Sequence, residues 1–118
     1  MSTAIQAIAP ISVNRNYNRI SRIICDYAVS LRLLRDIWKR RLEKTQRRHY
    51  KVHRERAHQL AVIELVCDKV EGFQFQAAAA LARECRLDKL VESYAWLNPE
   101  MAARHYRFVE EVAGGRLQ

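Results

Sequence analysis

The chain has 118 residues, enough for one hydrophobic core and too few for two ordinary ones. Gly and Pro together make only five residues, and Ala, Leu, Arg and Glu dominate, the composition of a helical protein. The net charge of +8 is uneven: Arg15 to Arg56 carries fourteen cations against four acids, and Ala57 to Gln118 carries seven against nine. An acidic partner surface, nucleic acid or protein, is the implication for the first half.

Residues 1–16, with Pro10, two Asn and no steady period, read as a flexible or extended arm. Their apolar run "AIQAIAPISV" lacks the flanks of a signal peptide and the length of a membrane span, so a soluble cytoplasmic protein is expected. Residues 17–118 read as a single helical domain. Between Ile11 and Glu71 there is no Gly or Pro. Ile20, Ile24, Tyr27, Leu31, Leu34 and Trp38 recur at steps of 4, 3, 4, 3 and 4, a heptad-like stripe that demands a helix. Asn18 or Ser21 is the expected cap. Ile23, Leu33 and Ile37 widen the stripe beyond a coiled-coil seam.

The stripe fades after Leu42 and resumes at Leu60, Ile63, Cys67 and Val70. Two arrangements satisfy this gap: one helix from about residue 18 to 70, roughly 80 Å long, or a hairpin bent within residues 45 to 57. Asp36 with Arg40, Glu43 with Arg47 and Lys51 with Glu55 stand at i,i+4 and favour helix by a few tenths of a kcal/mol each. An unbent helix would need a second chain to cover its stripe, and a homodimer is the expectation. Gly72 is the expected stop. Ala77 to Glu84 should be helical, and Asp88 should cap a further helix through Leu97 carrying Leu90, Val91 and Tyr94. Asn98, Pro99 and Glu100 mark the start of a last helix to about Ala113, with Ala102, His105 or Tyr106, Val109 and Val112 or Ala113 inward and Gly114-Gly115 ending it.

The densest feature is Trp38 to His58, "WKRRLEKTQRRHYKVHRERAH", with nine Lys or Arg, three His and two acids. Arg40, Arg47, Arg48, Lys51 and Arg54, with Tyr50 interleaved, form a candidate basic patch for phosphate contacts; the competing reading is a solvated helical face. Trp38 ends the apolar stripe and abuts the arginines, which resembles a protein-interface anchor. Leu31, Leu34, Arg35, Trp38, Arg41 and Leu42 are therefore the candidate partner-binding residues.

"FQAAAALARECRLDKLVESYAWLN" partly fits a helix-turn-helix, with Ala82 as the small residue and Leu87 in the turn. Arg86, however, stands where Gly is usual and Glu92 where an aliphatic is expected. His49 and His53 share a helical face, but the surrounding cations repel a metal ion, so neither metal nor cofactor is expected. No catalytic constellation appears, and the chain reads as non-enzymatic. Cys25, Cys67 and Cys85 lie in apolar-patterned segments without ligand spacing and read as buried structural thiols.

These features give an all-α bundle: a long N-terminal amphipathic basic helix, straight or bent, and two to four shorter helices, paired as a dimer. The long stripe Ile20–Trp38, the loose N-terminal arm and the lack of catalytic residues resemble the small helical quorum-sensing antiactivators (QslA-like). The resemblance rests on size and helix plan. It implies a stoichiometric inhibitor of a partner protein, namely a LuxR-type transcription activator such as LasR. The alternatives are a basic helical DNA- or RNA-binding protein and a phage-type inhibitor of host machinery.

Overall fold

The computed structural model describes the backbone of residues 10–95 and 98–113 and the side chains of 18–95 and 98–112. Among the described residues there are five helices and no strand: α1 (Pro10–Lys44), α2 (Tyr50–Glu71), α3 (Phe75–Glu84), α4 (Leu87–Glu92) and α5 (Pro99–Ala113). The molecule is elongated, 67 × 25 × 23 Å. The expected arm lies outside the described residues only for Met1–Ala9. From Pro10 onward the backbone is already helical, with proline where its missing N–H costs nothing. Asn18 and Ser21 are therefore helix-interior residues and not caps.

The gap between the two apolar stripes is a turn, and α1 and α2 form an antiparallel hairpin. Burial decides this against the single straight helix. Bending at 45–49 gives up a handful of helical hydrogen bonds worth about 1 kcal/mol each. Closing the hairpin buries Leu31, Leu34 and Trp38 with Leu60, Ile63, Val66, Cys67 and Val70, each contributing roughly 1.5–3 kcal/mol when fully buried. The stripe that a straight helix would have handed to a second chain is covered within one. Leu33, expected to widen the stripe, points outward at 42% exposure, whereas Ile23 is buried.

The third member of the core is α5, which runs along the first half of α1. Tyr27 stacks on Phe108 with ring centres 4.1 Å apart, the Arg104 guanidinium donates to Ser30 Oγ at 3.4 Å, and Arg19 pairs with Glu111. The buried face of α5 is Met101, His105, Phe108 and Val112. Of the expected inward residues His105 and Val112 are buried, Ala102 and Val109 are half-buried and Tyr106 is exposed, while Met101 and Phe108 complete the buried face. Glu111 is buried against Arg19. Helices α3 and α4 close the bundle through Ala78, Ala79, Ala82, Leu87 and Val91. Helix α4 ends at Glu92 and not at Leu97, and its N-terminal flank is Arg86 with Asp88 in the first turn. Only Cys67 is a buried thiol; Cys25 and Cys85 are exposed. Burial pushes the Cys67 thiol up to about 11.

Helix α2 closes with a Schellman turn: Gln74 N–H donates to Lys69 O at 2.8 Å and Phe73 N–H to Val70 O at 3.1 Å. Gly72 is the last helical cap, but the left-handed position one residue later falls to Phe73, at φ 59°. Phe73 is 80% exposed, and its ring meets Phe75 edge-on at 5.9 Å. A β-carbon costs about 1–2 kcal/mol in that conformation. Against it stand the aromatic contact and the greater unfolded-state freedom of glycine. Phe73→Gly is expected to stabilise the fold by about 0.5–1 kcal/mol, read as an upward shift of the denaturant midpoint at unchanged slope.

The polar pair of the core is Tyr27 with His105, hydroxyl to Nδ1 at 3.2 Å. Burial holds His105 below the ordinary imidazole range, against the opposing pull of Asp88 and Glu92. The folded state therefore binds this proton less readily than the unfolded chain does. The associated stability is fully present above the unfolded value of about 6.5 and is lost as pH falls through and below it. The denaturant midpoint is expected to decline between about pH 6.5 and 5.5, and His105→Gln is expected to flatten that decline.

Candidate functional site

Where the bundle ends, the hairpin continues. Trp38 forms the root. It is buried, its indole N–H donates to Gln59 Oε1 at 2.8 Å, and Tyr94 packs edge-on at 5.3 Å. The Arg41 guanidinium lies 5.2 Å from the Trp38 ring centre and 5.6 Å from that of Tyr94, a cation–π lid over both. Beyond this root residues 39–44 of α1, the turn 45–49 and residues 50–57 of α2 form a two-helix tip.

The turn has neither Gly nor Pro. Thr45 makes it: its hydroxyl donates to Arg41 O at 2.7 Å, which competes with continued helix, and it accepts from Arg56 Nη1 at 2.6 Å. One side chain thus ends α1 and ties it to α2. Thr45 N–H donates to Leu42 O and His49 N–H to Gln46 O, completing the bend. Arg41 and Lys44 occupy the last turn of α1, where cations complement the helix dipole.

Nine Lys or Arg and two acids lie between Lys39 and Arg56. Lys39, Arg40, Lys44, Arg47, Arg48, Lys51 and Arg54 are exposed. Tyr50, at the first position of α2, is 61% exposed in their midst, and Val52 is 42% exposed. None of the nine cations makes an ion pair among the described residues, where the pairs formed are Arg19–Glu111, Arg32–Glu71, Arg86–Asp88 and Arg104–Glu100. The three expected i,i+4 pairs do not form. Glu43 and Arg47 are separated by the bend, and Glu55 accepts from Gln59 instead. Seven excess positive charges are thereby gathered on one end of the molecule, with solvent as their counterpart.

No known protein family, characterised protein or solved structure matches this chain.

The two groups of candidate residues part company in space. Arg40, Arg47, Arg48, Lys51 and Arg54 come together on the tip. Leu31, Leu34 and Trp38 are inside the chain's own core, Arg35 and Leu42 are half-buried, and Arg41 covers the root. Trp38 is thus a structural anchor, and a partner would reach it only by opening the hairpin. Thr45, Arg56 and Gln59, which hold the tip, escape periodicity reasoning. The one signal for them is a lone Thr in a run of strong helix formers.

Between α3 and α4, Arg86, where glycine is usual in a helix-turn-helix, sits in the left-handed region at φ 55°, ψ 47°. Helix α4 has only six residues, and the exposed Arg86 is tied to Asp88 through hydrogen bonds of 3.2 and 3.3 Å. That pairing holds the Asp88 carboxyl below the usual range. Glu92 is paired with the Tyr106 hydroxyl, whose hydrogen bond pushes the phenol up to about 12. So short and acid-bearing a helix does not suit a DNA groove. A cleft of about 740 Å³ between α1 and α5 is lined by Arg19, Arg22, Arg107, Glu110 and Glu111. No group of three metal-ligating side chains occurs among the described residues, and no described helix is long and apolar enough to cross a membrane.

Proposed function

We propose that this chain is a non-enzymatic binding protein whose basic hairpin tip grips the phosphate backbone of nucleic acid. The reading rests on one observation: seven exposed cations project on a two-helix tip, and none of them makes an ion pair among the described residues. Two packed helices are roughly 20 Å across, too wide for a major groove of about 12 Å. The tip would straddle phosphates and leave base edges unread, so recognition is by charge, with Tyr50 offering a ring for stacking on an unpaired base.

Titrating a labelled duplex and a single strand of about 20 nucleotides at salt from about 50 to 200 mM tests this. With about five phosphates neutralised, log K is expected to fall against log salt with a slope of about −4.5 for duplex and about −3.5 for single strand. Absence of binding at low salt, or a slope near zero, overturns the reading.

A second reading keeps the antiactivator expectation, favoured by the exposed Tyr50 and Val52 among arginines. An aromatic ringed by Arg is the composition of a protein-interface core. The partner would then be an acidic face on a transcription activator of LuxR type. Capture of that domain, undiminished at about 200 mM salt where nucleic-acid binding has decayed, would support this reading over the first.

A further inference from the structure

The residues through which the chain bends keep the spacing of a helix. Leu42, Thr45, His49, Val52 and Arg56 follow at steps of 3, 4, 3 and 4, and Arg40, Lys44, Arg47, Lys51 and Arg54 at steps of 4, 3, 4 and 3. In an uninterrupted helix these are two opposite stripes. One is wholly cationic, and the other has Arg56 as its single Lys or Arg. The less charged stripe is also in phase with the core. Leu60 stands 22 positions after Trp38, about six turns at 3.6 residues each. A straight run from α1 into α2 would therefore hold both buried stripes, Tyr27 to Trp38 and Leu60 to Val70, on one face. A hairpin has no need of this phase, because its turn sets the rotation of each helix separately.

Little holds the bend. Neither Gly nor Pro interrupts the chain between Ile11 and Glu71. The turn rests on the Thr45 hydroxyl, which bonds Arg41 O and Arg56 Nη1, and on the backbone bonds of Thr45 and His49. Straightening restores the helical hydrogen bonds across 45–49. It also sets Glu43 one turn before Arg47, the favourable order for an acid and a cation.

A straightened copy bares its apolar face, and a second straightened copy covers it with contacts the hairpin already makes. Helices α2–α5 of one chain pack on α1 of the other. Trp38 then meets Gln59 and Tyr94, Tyr27 meets His105 and Phe108, and Arg32 meets Glu71, each across two chains. The interface needs no surface that the single chain lacks. The two hinge segments run antiparallel side by side, with their cationic stripes on opposite outer faces.

We propose that two copies of this chain exchange helices α2–α5 through residues 45–49, giving a dimer in which α1 and α2 of each copy form one continuous helix. The proposal is independent of what the tip binds. Exchange replaces two separate basic tips by one central basic section.

Refolding tests it, because exchange requires the hairpin to open and mass action favours the dimer. The full chain is refolded from urea at about 5 µM and at about 0.5 mM, then separated by size-exclusion chromatography. The buffer holds about 1 M salt, where the Debye length is about 3 Å and the cationic stripes scarcely repel. A dimer is expected at the higher concentration. Thr45→Ala, which unties the two helices, is expected to raise its share at least about threefold. Arg47→Pro occupies the second position of the Gln46–His49 turn, which proline suits, and breaks any helix running through it. That variant is expected to keep its helical circular dichroism and elute as a monomer at both concentrations.

Cross-linking then shows which chains are paired. Arg32→Cys/Glu71→Cys, in a chain also carrying Cys25→Ser/Cys85→Ser, is treated with a short bismaleimide. The monomer fraction is expected to be linked within one chain, and the dimer fraction to run as a covalent dimer after denaturation. A wild-type chain that stays monomeric at about 0.5 mM, far above the micromolar range, would overturn the proposal. So would a dimer linked only within each chain, or one that Thr45→Ala leaves unchanged or Arg47→Pro leaves intact.

Discussion

Replacing Arg40, Arg47, Arg48 and Lys51 together by alanine is expected to weaken duplex binding by about 10²–10³-fold at low salt. The same change is expected to flatten the salt dependence by about 3–4 units of slope. All four side chains are exposed and none is in an ion pair, so their removal leaves no orphaned acid and opens no cavity. Stability should move by no more than about 0.5 kcal/mol, and upward if anything, because the remaining tip cations repel one another less. The measurement is fluorescence anisotropy across a salt series beside a denaturation curve. Arg83→Ala/Arg86→Ala, in the half of the chain where acids balance cations, is the control and should leave the slope unchanged. Equal losses from both sets of substitutions would mean that net charge alone, and not the tip, carries the binding.

Trp38→Ala is expected to cost about 3–5 kcal/mol of folding stability, a large share of the roughly 5–15 kcal/mol typical of a domain. The indole is 2% exposed. Its loss removes buried area, the edge contact with Tyr94, the lid interaction of Arg41 and the hydrogen bond that occupies the Gln59 carbonyl. Trp38→Phe keeps most of the packing and loses the hydrogen bond, so it should cost about 1–2 kcal/mol. Urea titration of both variants checks this. If Trp38 were a surface anchor for a partner, both midpoints would stay at the wild-type value. An interaction experiment using Trp38→Ala must therefore be paired with a stability measurement, since loss of binding and loss of fold would coincide.

The all-helical class was legible because long apolar stripes at heptad spacing leave little choice. Each stripe member from Tyr27 to Trp38 and from Leu60 to Val70 is buried. Whether the stripes belonged to one helix or two was not legible, because the turn is made by a threonine hydroxyl and an arginine eleven residues apart and not by Gly or Pro. The inward face of α5 was legible only as a choice between neighbouring positions, since Met101, His105, Phe108 and Val112 are spaced as regularly as the residues beside them. Only contact with Tyr27 and α1 chooses between them. At the site, the cations were legible as a cluster, and their exposure follows from the bend. The reading of Trp38 as an interface residue followed from its neighbours in sequence. Its true neighbours, Gln59 and Tyr94, are 21 and 56 positions away.

The shape of the molecule has a consequence for how it meets anything charged. Outside residues 39–56 the chain has twelve cations and eleven acids, so nearly the whole net charge rides at one end of a body 67 Å long. In the field of a polyanion such a body experiences a torque as well as an attraction. It turns end-on before contact, within the few Debye lengths, each of about 8–10 Å at ordinary ionic strength, over which that field persists. The first collision is then already the productive one, and added salt shortens the distance over which the molecule can be aimed.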